Sequence, residues 1–197
     1  MSQEVFAQAE IFFEKKEEWY SFVNLSDFKD RIAWNWFKNC KQELNKRFQI
    51  EELEETNNWL YHSWGNFEFK WYLKDFGQDS LCLYLQNYQF FLWANGNLFN
   101  VEEITKLLQQ KKYSSIVSAF ERHDDIFLPH QWEKVVERGN FVFGDEYDGN
   151  FDNLRLSWYA NYKPNDLADQ IVRKVNRFRN NDEITSLLIE INKLTKK

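Results

Sequence analysis

Apolar residues recur along this chain at two periods, and the change from one to the other lays out its elements. From Phe28 they return every four residues, through Ile32, Trp36, Cys40, Leu44 and Phe48. Lys38, Lys41, Lys46 and Arg47 lie on or near the intervening sides, which predicts an amphipathic helix to about Phe48. Ser26 is placed to cap it, and Asp27 and Asp30 fall in its first turn, where negative charge meets the positive end of the helix dipole. A helix-prone stretch from about Val5 to Val23 precedes it, with Phe6, Ile11, Phe12, Trp19 and Phe22 loosely at helical spacing.

The period then drops to two. Phe67, Phe69, Trp71 and Leu73 alternate with Glu68, Lys70, Tyr72 and Lys74, as expected for a half-buried strand with Lys70 on its wet face. Gly77-Gln78-Asp79 supplies a turn. Leu81 to Leu85 and Tyr88 to Trp93 are apolar on both faces, as central strands covered on two sides would be, and Gln86-Asn87 fits the hairpin between them. Trp59–Trp64 reads as a further strand before these three. Asn100 caps a predicted helix from Val101 to about Gln110, and a short helix follows near Ser114–Arg122. Strands are expected over Val135–Phe143 and, after an Asp148-Gly149 turn, over Leu154–Tyr162, with Leu154, Leu156, Trp158 and Ala160 sharing one face. Pro164 opens a helix carrying Leu167, Ile171, Val175 and Phe178. Asn181, Asp182 and Glu183 start a last one carrying Ile184, Leu187, Leu188, Ile191 and Leu194. The order predicts an α+β fold: a mainly antiparallel β-meander sheet flanked by N-terminal, central and C-terminal helices. Without a Pro-, Gly- or Ser-rich linker, residues 1–197 read as one compact domain.

Composition adds one strong feature. Of 197 residues, 19 are Phe, 9 Trp and 9 Tyr, and many crowd the segment between Trp59 and Phe99. Each such ring can bury about 150–250 Å², so the segment is a core, a binding face, or both. If Phe67, Phe69, Trp71, Leu83, Phe90, Leu92, Leu156 and Trp158 fill the inward sheet face, then Tyr72, Tyr84, Phe91, Trp93 and Tyr159 are left for the opposite one. Those five are the candidate contact surface, because aromatics are enriched at interface centres.

Charge changes the picture little. A net charge of −6 with both signs interspersed disfavours extended contact with nucleic acid or an anionic membrane. Arg173, Lys174 and Arg177, with Arg179, form the densest basic group, a candidate phosphate-facing helix side or simply a solvated one. Two cysteines, Cys40 and Cys82, are too few for a disulfide framework or zinc cluster and sit at apolar positions, where thiols act as small hydrophobes. With no signal-peptide pattern and no spanning apolar run, a soluble cytoplasmic protein is expected, without membrane contact.

No chemical motif stands out. His123, Asp124, Asp125 and His130 have the ligand types of a metal site but not the spacing of one helical face. Asp145, Glu146, Asp148, Gly149, Asn150 and Asp152 resemble a calcium loop in composition, yet the EF-hand positions fail from Asp145 onward. Glu68-Phe69-Lys70 has the Glu-x-Lys form of metal-dependent nuclease strands but lacks the upstream acid. The expectation is a protein with no cofactor and no metal. It is read as a non-enzymatic interaction or regulatory module that binds a protein partner or a second copy of itself through aromatic surface. The alternative is a divalent-metal nuclease-like or other nucleic-acid-associated protein, with cation ligands among Glu68, Asp124, Asp125, Asp145 and Asp148.

Overall fold

The computed structural model describes residues 8, 11–12, 14–51, 58–65, 67–86, 89–120, 126–128, 133–136 and 153–197. Among them the chain forms α1 (Lys16–Glu51), β1 (Trp59–Trp64), β2 (Glu68–Leu73), β3 (Cys82–Gln86), β4 (Gln89–Trp93), α2 (Val101–Leu108) and α3 (Ser114–Ser118). It continues with β5 (Ile126–Leu128), β6 (Glu133–Val136), α4 (Asn153–Tyr162), α5 (Pro164–Arg179) and α6 (Asp182–Thr195). β1 to β4 form an antiparallel meander in sequence order, and β5 and β6 a separate two-stranded ribbon. This is the α+β architecture that the change of period predicts.

Hairpin register follows the alternation. Trp59 pairs with Leu73, Trp71 with Leu83 and Leu85 with Phe90, so Phe69, Trp71, Leu83, Leu85, Phe90 and Leu92 share one sheet face. Gly65 and Gly77 take φ of +46° and +79° at the turns that end β1 and β2, a backbone region that side-chain-bearing residues rarely occupy. The second half of α1, α5 and α6 lie on the shared face. Phe37 stacks on Phe67 at 4.3 Å, Phe48 meets Tyr61 at 5.0 Å and Trp71 at 5.3 Å, and Phe90 meets Phe178 at 6.1 Å. Helix starts obey the capping chemistry of the sequence: Asn100 accepts from the Glu103 amide, and Asn181 from that of Ile184.

Four expectations are corrected. Ser26 caps nothing: α1 runs unbroken through it for 36 residues, and its hydroxyl donates to the Val23 carbonyl one turn back. The buried stripe of α1 is Ala33, Phe37, Cys40, Leu44 and Phe48; Phe28 is exposed, and Ile32 and Trp36 only half-buried. An ideal helix completes four residues in slightly more than one turn, so a strict period of four drifts off any fixed face. Leu154–Tyr162 is helix, not strand: Leu156 and Ala160 sit four apart on its buried side while Leu154 and Trp158 are exposed. On α6 Leu194 is exposed, and Asn192 and Thr195 take the buried positions. Of the strand expected over Val135–Phe143, β6 covers only the start; residues 137–143 and the Asp148-Gly149 turn lie outside the described residues.

Candidate functional site

The second face of the sheet is where most of the candidate contact residues fall. On β2 the side chains of Glu68, Lys70 and Tyr72 project opposite to Phe69 and Trp71, and Lys70 is paired across the strand with Tyr84, Tyr84 with Phe91. Tyr84 and Phe91 are buried, with ring centroids 5.2 Å apart, and half-buried Trp93 packs edge-on to Tyr84 at 6.1 Å. Tyr72 is half-buried on the same face. Tyr159 is not brought to this group: it lies on α4, half-buried against the main core and 5.1 Å from Trp158.

At the centre of that face stands a residue the sequence puts in water. Lys70 is only 5% exposed. Its Nζ lies 3.2 Å from the centroid of the Trp93 ring, 4.8 Å from Trp64 and 5.1 Å from Tyr84. Three electron-rich faces thus take the place of water around an ammonium whose hydrogen-bond acceptor is the Gln78 carbonyl at 3.4 Å. Beside it, Glu68 accepts a 3.0 Å hydrogen bond from the Tyr84 hydroxyl. Alternation alone could not show this, because whether an outward strand position is wet depends on what lies over it.

Charge states follow from burial. Desolvation pulls the Lys70 pKa below the ordinary lysine value, against the opposing pull of Cys82, Asp79 and Glu68. Burial, then the neighbouring Glu68 charge and its hydrogen bond, push Tyr84 up, so its phenol stays protonated. Burial raises Cys82 to about 12 and Cys40 higher still, which leaves both thiols inert. A Lys70→Met substitution tests the box. The unfolded chain keeps the lysine proton to higher pH than the folded one, so the lysine contribution to stability rises with pH below its ordinary value of 10.5. Tyr84 acts oppositely once free tyrosine ionises at its ordinary 10.0. Denaturation from neutral pH up to about 10 should therefore show the native protein gaining on Lys70→Met as the ordinary lysine value is approached. A difference that instead shifts in favour of Lys70→Met with rising pH would mean that the fold holds the ammonium more firmly than water does.

The same geometry engages both members of the Glu68-x-Lys70 pair in contacts within the sheet face. Among the described residues no group of three or more His, Cys, Asp or Glu is arranged to hold a metal ion. His123, Asp124, Asp125, His130, Asp145, Glu146, Asp148 and Asp152 lie outside the described residues. The basic face on α5 is corrected in part: Arg173 and Arg177 are exposed, but Lys174 is buried among the core-side positions of the helix, and Arg179 places its guanidinium 5.1 Å over the Phe48 ring.

A second surface was not singled out by pattern. From Lys16 through Ile32, no residue of α1 is buried, over about 25 Å of helix. This stretch carries Trp19 at 48% exposure, Phe22 at 45%, Leu25 at 63% and Phe28 at 52%, with Tyr20 also exposed. A groove of about 330 Å³ runs along it, lined by Phe12, Glu17, Glu18, Ser21, Phe22 and Leu25. Nearby, exposed Trp158 and Tyr162 of α4 pack together, and Tyr162 meets Trp36 of α1 edge-on at 5.7 Å. The signal present in the sequence was that Trp19, Tyr20, Phe22, Leu25 and Phe28 point to every side of one helix, more than a single core contact can cover. No protein-family model, curated protein or solved structure matches this chain.

Proposed function

We propose that the protein is a non-enzymatic interaction or regulatory module that engages another protein through the first half of α1. The observation that carries this reading is the run of large apolar side chains on a helix segment without one buried residue. Exposed apolar area of this extent is unusual on an unpartnered chain and marks contact surfaces. The folded core does not need these residues: α1 is anchored by Ala33, Phe37, Cys40, Leu44 and Phe48, all beyond the exposed stretch. A cytoplasmic setting belongs to the same reading, supported by two buried, unpaired cysteines. Among the described residues no helix is long and apolar enough to cross a membrane.

A photoreactive residue in place of Leu25 tests the proposal, with the same residue at Lys38, an exposed position on the anchored half of α1, as control. In cells, position 25 should give discrete cross-linked protein adducts and position 38 none. Absence of adducts from position 25 refutes the reading.

A further inference from the structure

We infer that the first half of α1 pairs with the same stretch of a second copy of this chain, the two helices antiparallel about a two-fold axis between Val23 and Asn24. The inference rests on the interaction reading above and names its partner. Successive helical residues turn by about 100°, so Glu18, Phe22, Leu25 and Lys29 fall within a strip about 60° wide, with Trp19 and Phe28 bordering it on either side. Reversing this strip about its midpoint places Phe22 across from Leu25 of the second copy and Glu18 across from its Lys29, each contact occurring twice, as a two-fold interface requires. The strip is therefore complementary to itself: apolar meets apolar and acid meets base. A parallel, in-register pairing would set Glu18 against Glu18 and Lys29 against Lys29, so charge selects the antiparallel arrangement.

Two features of the exposed stretch fit this occupant. The groove is lined by Phe12, Phe22 and Leu25 together with Glu17 and Glu18, a setting for an incoming Leu or Phe followed one turn on by a lysine. Among the described residues the ion pair of Glu18 is with Lys15, at 3.6 Å and solvent-accessible, a contact too weak to compete. Area sets the strength. Four side chains about half exposed offer roughly 400 Å² per copy, or about 800 Å² for the pair, below the size of tight complexes and in the range of reversible ones.

Sedimentation equilibrium of the purified full chain tests this. A monomer–dimer equilibrium should develop between about 10 and 500 µM. Glu18→Lys and Lys29→Glu alone should each weaken it about five- to tenfold, and the two together should restore it to within about twofold. Both positions are solvent-accessible, and circular dichroism on each variant checks that the fold is kept. A protein monomeric at about 500 µM, or a double reversal no better than the single ones, overturns the inference. If position 25 then still cross-links to a different protein, self-pairing has failed and the interaction reading stands. If it cross-links to nothing, both have failed.

Discussion

Replacing Trp71 with Ala should cost about 3–5 kcal/mol of folding stability, the range for removing a fully buried large aromatic. Trp71 is fully buried on β2 and is ringed by Phe48 at 5.3 Å, Tyr61 at 5.6 Å and Phe69 at 6.2 Å, so its deletion opens a hole that three rigid rings cannot close. The indole adds a second handle, because its Nε1 is buried with no acceptor among the described residues. Trp71→Phe removes that unsatisfied donor while keeping an aromatic body, and should cost less than half as much as Trp71→Ala. Urea denaturation of the two variants measures both. A loss below about 1 kcal/mol for the Ala variant would be incompatible with the packing described, and equal losses would point away from the unsatisfied indole.

The second large effect is expected at Asn192. Its side chain is completely buried, and it holds the backbone of Leu81 at both ends. The Oδ1 accepts from the Leu81 amide at 2.9 Å, and the Nδ2 donates to the Leu81 carbonyl at 3.3 Å and to the Leu188 carbonyl at 2.9 Å. This contact ties α6 to the entry of β3, where the chain emerges from the Gly77–Ser80 turn and has no strand partner to satisfy its polar groups. Asn192→Ala strands two buried backbone groups at about 1–3 kcal/mol each, for a total of about 2–4 kcal/mol once the structure relaxes. Amide exchange gives an independent reading: the Leu81 N–H should be protected in the native protein and exchange much faster in the variant. Native-like protection at Leu81 in the Ala variant would mean that the clamp does not hold this backbone.

How much of this was legible in the chain depends on the range of the interaction that decides it. The strand register could be read from Phe67 to Leu73 because alternation is a property of the backbone itself, and the caps at Asn100 and Asn181 because a side-chain oxygen needs to reach only three residues along. The α5 stripe of Leu167, Ile171, Val175 and Phe178 was equally plain, since a 3.6-residue period repeats within the helix. Local signals failed where two local solutions compete. Ser26 followed by Asp27 and Asp30 has the form of a cap, yet the flanking residues propagate helix well enough to run through it, and the serine turns its hydroxyl back onto Val23. Leu154–Tyr162 alternates like a strand, yet Leu156 and Ala160 satisfy a helical face just as well, and packing against α1 is what selects it.

The sequence by itself determined the α+β class, the β1–β4 meander with its inward face and the caps at Asn100 and Asn181, because these follow from residue spacing and from contacts within one turn. Only the tertiary structure decided which polar residues are inside and which apolar ones are out. Lys70 is drawn into a box of Trp64, Tyr84 and Trp93 contributed by three other points of the sheet, and Asn192 is buried because a distant turn offers it an amide and a carbonyl. Trp19, Phe22, Leu25 and Phe28 remain exposed because α1 continues past the last residue that the sheet, α4 and α5 cover. Burial depends on what lies opposite, and what lies opposite is fixed by contacts between residues far apart in the chain, which no local pattern records.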